Sequence, residues 1–172
     1  MAANGSAVRG VAAVALGSNL DPLGHGEGVE RQRNLWDAIE RMEPLGAVLK
    51  VSSFYDTAPV GYLNQPRFLN GALLLKTDLE PLELMQELLG VERDMGRLRT
   101  GVVAKGPRVI DLDLLLFGQA VISTSELVLP HPAMQERLFV LEPLAEIAPE
   151  MVHPVLGKTV VEMLLALARR TA

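Results

Sequence analysis

Residues 48–77 read VLKVSSFYDTAPVGYLNQPRFLNGALLLKT. Two strand-like runs, 48–55 and 68–77, follow one another with no helical periodicity between them. The stretch 56–67 holds Pro59, Gly61 and Pro66, so it is a loop. It is long for a connection, and long loops in compact domains often carry function. Upstream, residues 8–16 form a buried strand that Gly17-Ser18-Asn19 is expected to break. A loop with Asp21, Pro22, Gly24, Gly26 and Gly28 follows. Leu35, Trp36, Ile39 and Met42 then recur at helical spacing and predict an amphipathic helix to about Glu43.

Downstream, Pro81 suits the first turn of a helix, with Leu82, Met85, Leu88 and Leu89 as its apolar stripe. A second long loop covers 100–107, and a strand covers 109–117. Gly118-Gln119 is expected to turn that strand onto a short partner at 120–123. Pro130-His131-Pro132 is rigid and extended. Residues 134–147 read as a helix interrupted at Pro143, and 158–170 as a closing helix whose Arg169 and Arg170 suit its negative end. The order is β-α-β-β-α-β with a C-terminal helical extension. Two helices separated by a pair of strands predict an α+β fold, with an antiparallel sheet carrying its helices on one face in the ferredoxin-like arrangement. Residues 1–7 are expected to be a disordered tail and 8–172 a single domain.

Composition narrows the function. The 172 residues are 49% hydrophobic and 22% charged, ordinary for a packed globular chain. With 16 basic and 21 acidic residues the net charge is −5, which argues against a nucleic-acid binder. There is no cysteine, hence no disulfide, thiolate metal site or cysteine nucleophile. No apolar run approaches the ~20 residues that a membrane helix needs, and the first ten residues lack a signal-peptide core. A cytoplasmic location is expected.

Residues 96–117, GRLRTGVVAKGPRVIDLDLLLF, carry the chemistry. Asp111 and Asp113 stand two apart in an apolar strand, so alternation places both carboxylates on one face. Such a pair is costly unless a cation neutralises it, and Mg²⁺ is the natural choice. The alternative is a strand end where both face water. Arg93, Arg97, Arg99, Lys105 and Arg108 lie within sixteen residues, 93–108, just upstream. In an acidic protein that is a local anion site, and beside a metal site it points to a polyphosphate. Gly157-Lys158-Thr159 ends like a phosphate loop, but Val152 stands where the leading glycine belongs. The glycines at 24, 26 and 28 miss the dinucleotide fingerprint because Val29 follows where another glycine is needed. His131 is either a phosphate donor or part of a packed turn. His153 reads as structural and His25 as exposed.

Four blocks resemble 6-hydroxymethyl-7,8-dihydropterin pyrophosphokinases of folate biosynthesis. They are Ala15-Leu16-Gly17-Ser18-Asn19-Leu20; Ser52-Ser53-Phe54-Tyr55 through Thr57, Pro59, Gly61 and Gln65-Pro66 to Asn70; Gly106-Pro107-Arg108 through Ile110-Asp111-Leu112-Asp113; and Pro130-His131-Pro132 with Met134, Arg137 and Phe139. The resemblance implies a ferredoxin-like fold and transfer of pyrophosphate from ATP to the pterin's hydroxymethyl group, with release of AMP and with two Mg²⁺ ions on the triphosphate. It implies Asp111 and Asp113 as metal ligands and Arg97 and Arg108 as the arginines acting in transfer. Thr57, Val60, Phe68, Asn70 and Phe139 fall at pterin-binding positions. Glu92, Arg99, Leu114, His131 and Arg137 fall at ATP-binding positions. No nucleic-acid or membrane partner is implied, and a monomer is expected.

Some positions depart from the family. Lys105 replaces a tryptophan usual before Gly-Pro-Arg and is expected to bring charge to the ATP site, in a 100–107 loop expected to close over the ligands. Ala104 replaces a common arginine, Leu89 a glutamine, and Phe68 a frequent tyrosine. Pro132 stands where some members have tyrosine. Two rival readings are a D-x-D transferase acting on sugar nucleotides, which would need a larger parallel sheet, and a non-enzymatic ferredoxin-like binding module.

Overall fold

β1 (Val11–Ser18) is apolar on both of its faces: Ala12, Val14 and Leu16 pack to one side, Ala13 and Ala15 to the other. Such a strand must be covered twice. The computed structural model, which describes residues 10–19, 28–58, 67–96 and 109–172, places it at the centre of an antiparallel sheet. The order is β2 (Ala47–Val51), β4 (Phe68–Lys76), β1, β5 (Asp111–Phe117), and β3 (Tyr55–Thr57) also pairs with β4. This is the sheet of a ferredoxin-like β-α-β-β-α-β unit. β1 runs through Gly17 and Ser18 instead of breaking there, because both pair with β4, opposite Asn70 and Leu69. The expected strand 48–55 is two strands. Ser52 spans the gap between them: its N–H donates to the Ala72 carbonyl and its hydroxyl accepts from the Ala72 N–H, each at 2.9 Å.

α1 (Gly28–Met42) and α2 (Pro81–Met95) cover one face. Their buried stripes are Leu35, Ala38, Ile39 and Met42, and Leu84, Leu88 and Val91. This corrects the sequence reading of three residues. Trp36, Leu82 and Leu89 are exposed, since the sheet takes only the narrower line of residues facing it. Trp36 instead sets its ring 5.3 Å from that of Phe54. Pro81 begins α2 as expected, and Glu80 and Glu83 form a capping box there.

The two helices of the β-α-β-β-α-β unit thus share one face as expected, and the opposite face is covered by the C-terminal extension, α3 (Leu138–Ile147) and α4 (Val160–Thr171). α3 runs unbroken through Pro143. A helix-interior proline costs ~3 kcal/mol, but Val140, Leu141, Leu144 and Ile147 are all buried, at ~1.5–3 kcal/mol each, which outweighs it. Residues 118–119 do turn, but the strand beyond them does not return to β5. β6 (Ile122–Ser123) pairs with β7 (Val128–Leu129). Lys158 and Thr159 form β9 (Lys158–Thr159), paired with β8 (Val152–His153), and α4 starts one residue later with the Thr159 hydroxyl accepting from the Glu162 N–H. Among the described residues no helix is long and apolar enough to cross a membrane.

His153 is structural. It is buried, and its Nδ1 accepts from the N–H groups of Val155, at 3.3 Å, and Leu156, at 3.1 Å. Burial lowers its pKa. The neutral imidazole is therefore favoured by folding: its contribution is present above the unfolded histidine value near 6.5 and is lost as pH falls below it. In His153→Asn the side-chain oxygen can accept from the same turn, as in an Asx turn. Comparing thermal melts at pH 7 and pH 5, we expect a smaller acid-induced drop in Tm for His153→Asn than for the wild type; an equal drop would mean that His153 does not titrate with unfolding.

Candidate active site

At one end of the sheet, on the face covered by α3, lies a cavity of about 320 Å³. Its floor follows from strand register. Gly17 stands between Asn70 of β4 and Asp111 of β5, and Ala15 between Ala72 and Asp113. Neighbours in an antiparallel ladder share a face, so Asn70, Asp111 and Asp113 all present to the cavity across two small residues. Gly17 keeps that space open: a Cβ there would sit 2.9 Å from the Asn70 Oδ1, so the amide would have to shift.

Asn70 is buried, and its Nδ2 donates to the Thr57 hydroxyl. That bond leaves Oδ1 toward Gly17 and the cavity, as an acceptor for an N–H edge of a ligand. Thr57 and Phe68 pair across the β3–β4 ladder and both line the cavity. Phe139, from α3, lines it too, so Phe68 and Phe139 bring two aromatic rings to one slot.

The extension beyond β5 supplies the remaining wall. The His131 N–H donates to the Leu115 carbonyl at 2.9 Å, and His131 Nδ1 accepts from the Ala133 N–H at 3.2 Å. The ring proton is thus on Nε2, which lies 4.0 Å from Asp113 Oδ1. Burial lowers the His131 pKa, the nearby Arg137 lowers it further, and Asp111 opposes them. The ring is neutral at neutral pH, so its contact with Asp113 is that of a polar N–H with a carboxylate and not an ion pair. Arg137 precedes α3 in extended conformation and sets its guanidinium 5.7 Å from the centre of the Phe139 ring.

The cavity therefore gathers Thr57, Phe68, Asn70, Asp111, Asp113, His131, Arg137 and Phe139, all singled out in the sequence. Leu114 does not line it: its side chain is buried on the other face of β5, against α1 and α2, which leaves only its backbone for a ligand. Glu92, on α2, does not line it either. Val60, Arg97, Arg99, Lys105 and Arg108, with the 100–107 loop, lie outside the described residues. Sequence reading did not find Ala15, Ala58 and Val140 as lining residues. Small apolar side chains carry no chemical signal. Only the alternation in β1 could have suggested that Ala15 shares a face with Gly17.

The family model for 7,8-dihydro-6-hydroxymethylpterin-pyrophosphokinase matches residues 13–149. A Bacillus subtilis 2-amino-4-hydroxy-6-hydroxymethyldihydropteridine pyrophosphokinase is 45% identical over 143 residues, 82% of this chain and 80% of the relative. Its Pseudomonas aeruginosa namesake is 42% identical over 153 residues, 89% of each chain. Against the Pneumocystis carinii folic acid synthesis protein fol1, identity is 40% over 86% of this chain, which spans only 19% of that protein. The fold is similar to that of a Plasmodium falciparum HPPK-DHPS, with TM-score 0.70 and 16% identity, covering 94% of this chain and 45% of the other. With the family model matched over residues 13–149, and relatives of 45% and 42% identity covered over 80% and 89% of their lengths, the chain belongs to the 7,8-dihydro-6-hydroxymethylpterin-pyrophosphokinase family.

Proposed function

We propose that the chain transfers the pyrophosphoryl group of ATP to the hydroxymethyl oxygen of 6-hydroxymethyl-7,8-dihydropterin. The pterin's hydroxymethyl oxygen bonds to the β-phosphorus as its hydroxyl proton passes to solvent, the bond from that phosphorus to the oxygen bridging the α-phosphorus breaks, and AMP leaves with that oxygen. The observation that carries this reading is that one cavity joins a carboxylate pair to a slot for a flat ring with a hydrogen-bonding edge. The sheet is antiparallel throughout, which removes support from a sugar-nucleotide transferase with a parallel sheet.

The donor set suits magnesium. Asp111 and Asp113 offer two half-buried carboxylates on one face of β5, and the described residues hold no third metal-binding side chain grouped with them. Mg²⁺ is held by one or two carboxylates and takes its other ligands from water and phosphate, whereas zinc prefers a fuller protein cage. Asp111 and Asp113 would hold two such ions, as the family resemblance implies. When bound, magnesium neutralises phosphate charge and polarises the transferring group.

The other residues bind and orient. Phe68 and Phe139 stack on the pterin, and Asn70 Oδ1 accepts from its ring edge while Thr57 fixes the amide. Val60 completes that pocket. His131 donates its Nε2 proton to a phosphate oxygen, and Arg137 pairs with the nucleotide. Glu92, Arg99, Lys105 and the Leu114 backbone complete the ATP site, and Arg97 and Arg108 stabilise charge during transfer.

Incubation with Mg-ATP and the hydroxymethyl pterin is expected to yield AMP and the diphosphorylated pterin; ADP, or no turnover, would overturn the reading. Asp111→Ala and Asp113→Ala are each expected to lose at least about a hundredfold in kcat, since a metal clamp supplies several kcal/mol of transition-state stabilisation. Both should keep a Tm near wild type, because a repelling charge is removed along with the ligand. Near-normal rates at saturating Mg²⁺ would contradict the assignment of these carboxylates.

A further inference from the structure

Arg31 of α1, Asp56 of β3 and Arg67, the residue before β4, meet beside the cavity wall formed by Thr57 and Phe68. Arg31 projects from the first turns of α1, its side chain 12% exposed. Its guanidinium forks across the β3–β4 hairpin. Nη1 donates to the Arg67 carbonyl at 2.7 Å, and Nη2 donates to Asp56 Oδ2 at 3.3 Å. Arg67 closes the cluster: its Nε donates to Asp56 Oδ1 at 2.6 Å and its Nη2 to the Asp56 carbonyl at 3.3 Å. Arg31 Nε has no hydrogen-bond partner among the described residues, so the two arms of the fork carry its polar contacts.

These contacts are placed one residue from the cavity. Asp56 precedes Thr57, and Arg67 precedes Phe68. Thr57 and Phe68 are themselves paired, at the end of a β3–β4 ladder whose other rows are Tyr55 with Asn70 and Asp56 with Leu69. A ladder this short holds its last row weakly. One rigid guanidinium bonded to Asp56 of β3 and to the carbonyl of Arg67, immediately before β4, sets the spacing and offset there, and with them the Thr57 hydroxyl and the Phe68 ring.

We propose that Arg31 is a positioning residue for pterin binding, acting through Asp56 and the Arg67 backbone on Thr57 and Phe68. The inference rests on the pyrophosphokinase reading of the cavity. Hydrogen bonding from Arg67 holds the Asp56 carboxyl below the usual carboxylate range, with the Arg31 charge acting in the same direction, so the cluster stays charged at neutral pH. Arg31 makes none of these contacts with His131, Arg137, Asp111 or Asp113, which sit on β5 and the segments after it. Its loss therefore acts on one substrate and spares the other. Lysine does not replace it, because a single ammonium lacks the planar fork that reaches both strands.

The test is steady-state kinetics with each substrate varied at saturating levels of the other, alongside thermal melts. Arg31→Ala and Arg31→Lys are both expected to raise the KM for the pterin roughly tenfold, the equivalent of one to two hydrogen bonds, and to leave the KM for ATP within about twofold. Asp56→Asn removes one anchor at an exposed carboxylate and is expected to give the same split at smaller amplitude; it decides the matter if the Arg31 variants do not fold. A lower Tm with both KM values unchanged would reduce Arg31 to a structural contact and overturn the inference, as would equal rises in both. Wild-type protein that forms no AMP would overturn the activity reading and this inference with it, whereas active wild type with indifferent variants would overturn the inference alone.

Discussion

The register that aligns Asn70, Gly17 and Asp111 across three neighbouring strands is the constraint on which the rest of this molecule depends. It sets the Asn70 amide and the Asp111 carboxylate on one face with only a hydrogen atom's width of side chain between them. The next row repeats the pattern with Ala72, Ala15 and Asp113. Register is specified here by burial. A slip of one residue in β1 would turn Ala12, Val14 and Leu16 away from the core against α1 and α2, so the large apolar cost protects the polar geometry.

The two carboxylates are costly in an apolar sheet, and the fold places them where the cost is least. They begin β5, at the open end of the strand, while Leu115 and Leu116 continue it under α3 and α4. The C-terminal extension is thus half of the site as well as cover for the second face. It brings His131 in through a backbone bond to Leu115, and Arg137 and Phe139 at the head of α3. In the proposed reaction the pterin wall comes from β3, β4 and α3, and the phosphate wall from β5 and the segment after it. The cluster at Arg31 touches only the first of these.

The element order, the antiparallel sheet and the positions of the first two helices were legible in the sequence, because each rests on a local pattern: period-two or unbroken apolar runs and proline at a helix start. At the cavity the residues themselves offered only the paired aspartates and a proline-flanked histidine, whereas Thr57, Phe68, Asn70, Arg137 and Phe139 were named through the family resemblance. What was not legible is long-range. Trp36 fits the apolar period of α1, but the sheet meets the helix along a line that leaves it exposed. Pro143 reads as an interruption because its cost is local while the burial that offsets it is tertiary. Gly17-Ser18 reads as a strand end because nothing nearby announces Asn70 and Leu69 as ladder partners. Helices on both faces were implied by Ala13 and Ala15 opposite Val14, a pattern easily taken for a plain buried run. The link of Arg31 to Asp56 and Arg67 spans residues 25 and 36 positions apart, beyond any periodicity.

If the cavity binds the pterin as proposed, the space above Gly17 is what lets Asn70 face the ring. Replacing that glycine by alanine tests it most directly, since the added Cβ falls 2.9 Å from Asn70 Oδ1 and the strand conformation itself accepts alanine. The measurement is pterin affinity in the presence of a non-hydrolysable Mg-ATP analogue, with circular dichroism to establish the fold. Gly17→Ala is expected to stay folded, to bind the nucleotide normally and to bind the pterin roughly tenfold more weakly, since a buried polar contact is displaced. Undiminished pterin affinity in a folded Gly17→Ala protein would contradict it.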